Sequence, residues 1–535
     1  MMRRLLIALP VLLIAALFGV AWLPLRQSRE AWRAHHNAEA IARTESWSRL
    51  RLWSAQYHQL LAAAYLDAGN RDAARPHLDA LSHGGRLWVS MLPKEEVARR
   101  LKYEDFLAYD AAVHQGDNDE IRARRAAAQI ATGKLADAEQ TLRSPVGGQA
   151  PRLSAALGER KSGFYPLLLD RNNQPIAVYQ MANKDLVAIN RDFDALTATF
   201  AAQLPRLGVN DTIETTLDPA IQKAAMQALG GFRGSLVAID PRTNELLAVA
   251  STAHENLAFD RQYEPGSIIK VLTGLSALES GVDVKSMFPY ECKGDLLIDG
   301  RHFGDWIGPG HGTLPTLDDA LAESCNIFFA DVGLRVGADR LHRLMTAAGF
   351  DQQADLGVFA VPLGKSVGRT FNNFETAFYS IGLAHESMNT LHAAMVASMM
   401  ANRGVLTTPR LLRARHSILG EVTMQPPAQG KTVVAKPENA AVMVQAMVAV
   451  ATKPKGTGRR APVEGTTLAM KTGTAGNRAD GGLEALIIAF APVENPRIAF
   501  AIIAEDAGPA EYAGAKIAHD FVRAVTGSLL PVAGR

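Results

Sequence analysis

Three short polar motifs stand in a fixed order within apolar surroundings: Ser267-Ile268-Ile269-Lys270, Ser324-Cys325-Asn326 and Lys471-Thr472-Gly473-Thr474. Together they supply a nucleophile, two proton-shuttling groups and an anion cradle for acyl transfer, provided the fold brings them to one place. Taken singly, each has a plainer meaning: a helix cap beside a solvated lysine, a polar junction between helices, and a glycine-bearing strand end.

Tyr263-Glu264-Pro265-Gly266 reads as a turn, and Ile268, Ile269, Val271, Leu272, Leu275 and Leu278 form an apolar helical run after it. Ser267 therefore falls at or just before a helix N-terminus, with its Oγ and backbone N–H facing an anion site. Lys270 lies one turn on, on the same face. Desolvation in so apolar a helix disfavours its charged form, and a neutral lysine can take the serine proton.

Ser387-Met388-Asn389 shares the S-x-N form. Ser324-Cys325-Asn326 is preferred because it follows the helical stretch Leu317 to Glu323 and leads into Ile327-Phe328-Phe329, so its polar groups project from a buried segment and need partners. Ser324 is expected to relay a proton between Lys270 and the leaving group, and Asn326 to bond Lys270 and a substrate amide. Thr466 to Met470 has strand composition. Gly473 is expected to let a ligand approach the backbone, while Lys471, Thr472 and Thr474 hold a substrate carboxylate. The backbone N–H groups of Thr474 and Ser267 would form the oxyanion hole.

With these motifs the chain resembles a penicillin-binding protein, of the serine D,D-transpeptidase group, over roughly residues 211 to 527. Thr215-Thr216-Leu217-Asp218-Pro219-Ala220-Ile221-Gln222 is similar to the segment that opens such domains, and Ser235 to Val249 to their first hairpin. Arg261 to Ser267 matches the family's approach to its nucleophile. The resemblance implies an α+β fold: an antiparallel sheet flanked by helices, with the serine where an all-helical part meets the sheet. It implies attack of Ser267 on a peptidoglycan stem ending in D-Ala-D-Ala, transfer of the acyl group to an amine, and acylation of Ser267 by β-lactams, with no cofactor required. One departure concerns the cleft: Leu383-Ala384-His385-Glu386 stands where the family commonly has a Gly-Gln-Gly-like stretch.

Domains are expected at 5–25 (transmembrane anchor), 30–145 (helical, tetratricopeptide-like), 150–214 (pedestal or linker) and 215–527 (transpeptidase). Leu5 to Leu25 is an uncharged apolar run, long enough at 1.5 Å per residue to cross a hydrocarbon core of roughly 30 Å. Arg3 and Arg4 before it favour a cytoplasmic N-terminus; Arg26, Arg29 and Arg33 after it weaken that asymmetry, so the expected orientation leans also on function, since a peptidoglycan-acting serine must lie outside. The expected location is thus the cytoplasmic membrane, single-pass, with a periplasmic catalytic domain. A cleaved signal peptide fits less well, since the run exceeds its 7–15 residue apolar region and no small-x-small site follows.

Leu60 to Ala74 resembles the turn of a tetratricopeptide helix pair, and Arg125 to Glu139 repeats it, with Gly69 and Gly133 in matching places. Such a region suits docking of wall-synthesis proteins, or a spacer. Glu104-Asp105-Phe106 lacks the spacing of a glycosyltransferase motif, and Leu167 to Pro175 is similar to the pedestal strand of monofunctional members, which points to the class B, transpeptidase-only type. At 48% hydrophobic, 21% charged and net charge +2 the chain has ordinary globular composition and nothing that suggests nucleic acid.

Cys292 and Cys325 have three open assignments: a disulfide, permitted by export; two free thiols; or zinc. The last follows from the family, some elongation-type members of which carry zinc near S-x-N, and here the ligands would be Cys292, Asp305, His311 and Cys325. Two rival functions stay open. A D,D-carboxypeptidase or β-lactamase would pass the acyl group to water, and a non-enzymatic sensor or scaffold would use the same acylable serine.

Overall fold

The computed structural model describes residues 22–46, 54–84, 90–113, 117–367, 371–476 and 482–529. Most of the expected anchor, residues 5–21, lies outside them. Among the described residues no helix is long and apolar enough to cross a membrane.

One compact unit takes in Met1–Tyr165 and Ser417–Glu421. It is built of helices, among them Ser54–Asp67, Arg71–Ser82, Tyr103–Ala112, Asp119–Ala131, Leu135–Thr141 and Ala150–Ser162. The two tetratricopeptide-like turns are present as helix pairs. Gly69 (φ +78°) and Gly133 (φ +77°) occupy the left-handed conformation that reverses the chain after the first helix of each pair. Asn70 then caps the next helix, its side chain accepting from the Ala73 N–H at 3.1 Å. Alanines at the contact positions let the helices approach closely: Ala62, Ala63 and Ala64, with Leu60, Leu66, Trp32, Phe106 and Tyr109, form the buried core. The unit runs past the boundary expected at 145. Helix Ala150–Ser162, assigned from sequence to the segment 150–214, groups here because Leu153 and Leu157 pack with Ala126, Ala127 and Ile130.

The second unit comprises Pro166–His416 and Val422–Arg535. Its centre is a five-stranded antiparallel sheet of β1 (Gly234–Asp240), β2 (Glu245–Ser251), β3 (Ala469–Ala475), β4 (Glu484–Ala491) and β5 (Ile498–Ala504), in the order β3-β4-β5-β1-β2. β4 and β5 read as unbroken apolar runs because both faces are covered. Helices Pro219–Leu229 and Ala513–Leu529 pack on one face, and α3 (Thr390–Ala401), buried from Thr390 through Met400, packs on the other. Lys270–Glu279 (α1) and Asn326–Val336 (α2) belong to the helical part beside the sheet. A separate six-stranded sheet contains Phe164–Leu169, Pro175–Gln180, Asp185–Ala188, Thr212–Thr215, Leu412–His416 and Val422–Met424. β3, which carries Lys471 to Thr474, is an edge strand, so half of its backbone polar groups face away from any neighbouring strand.

Candidate active site

Ser267 sits in a short 3-10 turn, Gly266–Ile269, that runs directly into α1. Two glycines let this turn lie against its neighbours. Gly266 (φ +52°) places its α-carbon where a Cβ would stand 2.9 Å from the Thr474 carbonyl oxygen. Gly382 (φ +78°) accepts the Gly266 N–H at 2.9 Å, and a Cβ there would meet the Gly266 oxygen at 2.2 Å. The Gly473 expectation needs correcting. A Cβ at that position would stand 3.0 Å from the Pro265 oxygen and 3.1 Å from Ile268 Cγ2, so the missing side chain admits the serine turn, not a ligand.

The S-x-N motif lies between helix Leu317–Ala322 and α2. Ser324 adopts φ +56°, a left-handed conformation that costs a non-glycine residue about 1–2 kcal/mol. That conformation aims its carbonyl and hydroxyl at the lysines. Lys270 Nζ donates to Asn326 Oδ1 at 2.5 Å, to the Ser324 carbonyl at 2.7 Å and to Ser324 Oγ at 3.3 Å. Lys471 Nζ donates to the same Ser324 Oγ at 2.9 Å and to the Thr472 carbonyl at 2.6 Å. Both lysines are fully buried. Burial lowers the Lys270 pKa to about 8, opposed in part by Asp305 and the two cysteines. Burial first, then repulsion from Lys270, holds Lys471 well below its ordinary value. Ser387-Met388-Asn389 does something else: Asn389 caps α3, accepting the His392 N–H at 2.9 Å and donating to the Phe259 and Pro362 carbonyls.

Ser267, Ser324, Asn326, Thr472 and Thr474 line one cleft of about 520 Å³. Trp306, Thr457 and Glu511 line it too, and none of these stands at a motif spacing that sequence reasoning could use. Thr457 joins two walls: the Thr472 hydroxyl donates to Thr457 Oγ1 at 2.6 Å, and the Thr457 N–H and hydroxyl both reach the Ala322 carbonyl, at 3.0 and 3.3 Å. Leu383, from the departing segment, faces the cleft, whereas Glu386 is buried elsewhere with neither carboxyl oxygen hydrogen-bonded.

Beside Asn326 the structure gathers Cys292, Asp305 and Cys325, one donor atom from each lying within 4.8 Å of the others. The two cysteines are free and buried, not disulfide-bonded. Asp305 Oδ2 accepts from the backbone N–H groups of Asn326 (3.1 Å) and Ile327 (3.4 Å), so it caps α2 while both thiols approach it at 3.4–3.5 Å. His311 adjoins the three: its Nδ1 faces Glu323 at 3.2 Å, and its buried Nε2 has no hydrogen-bond partner, with Asp305 Oδ1 3.5 Å away. A hydrogen bond from Cys325 holds the Cys292 thiol at about 6 despite its burial, while the bond to Cys292 and burial push Cys325 up. Burial opposes ionisation of Asp305, but His311 and Lys270 hold it at about 2. Two sulfurs, a carboxylate and an orphaned imidazole nitrogen are the donor types a tetrahedral zinc takes, so the residues fit that ion.

The fold is shared with solved structures. The penicillin-binding protein A of Mycobacterium tuberculosis, solved as its penicillin G acyl-enzyme complex, superposes with a TM-score of 0.58 at 21% identity, over 68% of this chain and 99% of that one. Among sequences, the peptidoglycan D,D-transpeptidase PbpA of Mycolicibacterium smegmatis is 29% identical over 352 residues, 58% of this chain and 70% of the relative. The peptidoglycan D,D-transpeptidase MrdA of Acinetobacter baumannii is 29% identical over 341 residues, 54% of this chain and half of the relative's length. The family described as penicillin binding protein transpeptidase domain matches residues 234–527, which hold all three motifs and more than half the sequence, and the chain belongs to that family.

Proposed function

We propose that this chain is a peptidoglycan D,D-transpeptidase of the class B type. The observation that carries the reading is the convergence of two buried lysines on one serine hydroxyl, Ser324 Oγ, in the cleft that holds Ser267. Two ammonium groups on one desolvated hydroxyl repel, so one proton is readily missing. The terminal carboxylate of a stem peptide would lie beside Lys471, Thr472 and Thr474, and the neutral form of Lys270 is the one that reacts.

Lys270 then takes the Ser267 proton as Oγ attacks the carbonyl of the penultimate residue. The oxyanion is held by the N–H groups of Ser267 and Thr474. Ser324 passes the proton from Lys270 to the leaving nitrogen, the C–N bond breaks, and terminal D-alanine departs. Asn326 orients Lys270 and the stem's amide. An acceptor amine resolves the acyl-serine, whereas a β-lactam leaves it in place. Cys292, Asp305, His311 and Cys325 would hold a structural zinc. Its contribution when bound would be a cross-link that keeps the loop carrying Trp306 against the Ser324–Asn326 turn. Residues 5–25 would anchor the chain in the cytoplasmic membrane with the catalytic unit in the periplasm, and the helical unit would dock wall-synthesis proteins.

The test is labelling of the full chain in detergent with a fluorescent penicillin, beside Ser267→Ala, followed by intact mass over hours. Persistent stoichiometric label on the wild type alone supports the acyl-serine reading and disfavours a lactamase. Complementation by Ser267→Ala in a cell lacking the protein would instead favour a sensor. No label on folded wild type refutes the proposal.

A further inference from the structure

The helical unit holds a histidine pair that takes no part in the reaction above. His58 lies on helix Ser54–Asp67 and His77 on helix Arg71–Ser82, the two arms of the turn at Gly69. Their Nδ1 atoms stand 2.8 Å apart and their ring centroids 5.1 Å, close to that separation plus the two ring radii, so the nitrogens meet head on. A bound metal would need both lone pairs to converge on a point off that line, and among the described residues neither histidine joins a cluster of three metal-ligating atoms. The geometry is that of one proton held between two nitrogens. Aromatic rings enclose the pair: Tyr65 stacks on His77 with centroids 5.9 Å apart, and Tyr57 meets the two rings edge-on at 5.2 and 5.9 Å. Among the described residues the charge that bears on it is Glu45 of helix Asn37–Ser46, which accepts from the Tyr65 hydroxyl and attracts charge on His77. Other charges of the packed helices are engaged elsewhere: Glu39 with Arg43, Asp67 with Arg100, and Arg71 with Glu104 and Asp105 of helix Tyr103–Ala112. Asp72, Arg75 and Asp79 are exposed.

We propose that His58 and His77 form an acid-released clasp, which holds these two helices together at neutral pH and lets them part once both rings are protonated. A neutral pair carries one N–H between the two nitrogens. A first added proton goes to the outer nitrogen of the donor ring and leaves that bond in place, charge-assisted. A second must take the lone pair of the accepting nitrogen, so the bond is lost and two cations face each other. Burial, and then repulsion from His58, lowers the His77 pKa to about 4, and burial lowers that of His58. Both shifts favour neutral rings in the fold. The stabilisation is therefore complete above the ordinary histidine value of 6.5 and is lost as pH falls from there through about 4. The helix pair Asp119–Ala131 and Leu135–Thr141 contains no histidine and has no such release.

The experiment is hydrogen–deuterium exchange with mass spectrometry on the full chain in detergent, from pH 7.5 to 4, corrected for the intrinsic pH dependence of exchange. As pH falls, peptides from residues 54–82 should lose protection by at least about tenfold more than peptides from 119–141. His77→Gln, whose amide oxygen accepts from His58 and does not titrate, should keep the protection at pH 4. So should His58→Leu/His77→Leu, which replaces the bond with an apolar contact. Equal loss in the wild type and both variants, or no loss in the wild type, overturns the clasp. Added copper(II) that raises the protection of 54–82 at pH 7 would make the pair a metal site and overturn it too. Titration of 13C-histidine NMR signals decides the matter whether or not a variant folds: the wild-type signal missing from His77→Gln should titrate near pH 4, and a midpoint near 6.5 would refute the proposal.

Discussion

If Lys270 is the base that activates Ser267, the acylation rate must follow the neutral fraction of that lysine. Its ammonium is the inactive form, and burial brings the pKa down to about 8. Activity is therefore lost as pH falls through 8 and is level well above it. One titrating group gives a neutral fraction near 1% at pH 6 and 50% at pH 8, so the second-order rate with penicillin should rise about fifty-fold between them and only about two-fold beyond. Asn326→Ala sharpens the test. The Asn326 oxygen, 2.5 Å from Nζ, stabilises the ammonium. Deleting a charge-assisted bond of roughly 1.5 kcal/mol should lower the inflection by about one pH unit while reducing the plateau. The assay is stopped-flow acylation with a fluorescent penicillin from pH 5.5 to 9.5, with native mass spectra to exclude unfolding. A flat profile between pH 6 and 8, or an inflection that rises in Asn326→Ala, would refute the assignment of the base.

Thr457→Val keeps the shape but removes the bond to Thr472 and the hydroxyl contact to Ala322; acylation should slow about tenfold, with roughly 1 kcal/mol of stability lost in urea titration. Gly382→Ala would drive a Cβ into the Gly266 oxygen behind the nucleophile; labelling should fall by at least about a hundredfold and the thermal midpoint by several degrees, and near-normal labelling would show the turn to be compliant. Elemental analysis of the purified chain should find one zinc per molecule, reduced in Cys292→Ser, with a strong chelator lowering the melting temperature; metal-free protein with an unshifted midpoint would leave Cys292 and Cys325 as plain thiols.

The catalytic motifs were legible because each combines a polar pattern with apolar flanks. Ser267 and Lys270 share a helical face at a spacing of three, and the runs Glu484–Ala491 and Ile498–Ala504 announce strands covered on both sides. The paired helices around Gly69 and Gly133 follow from a left-handed turn residue in each, joined in the first pair by the Asn70 cap. These are local properties, determined by neighbours along the chain.

The rest depended on which distant segments meet. Nothing near Thr457, Trp306 or Glu511 in sequence marks them as cleft residues; they become so because the fold brings them to the same cleft as Thr472 and Thr474. Gly473 reads as a ligand gap until the Pro265–Ile268 turn is seen to fill it. The choice between Ser324-Cys325-Asn326 and Ser387-Met388-Asn389 was likewise settled in space: the first pair surrounds Lys270, and Asn389 caps a buried helix. By itself the sequence determined the chemistry on offer and the local elements that present it, because spacing and hydropathy act over a few residues. Only the tertiary structure decided which polar groups share a desolvated site, because desolvation and hydrogen-bond geometry depend on contacts that spacing does not encode.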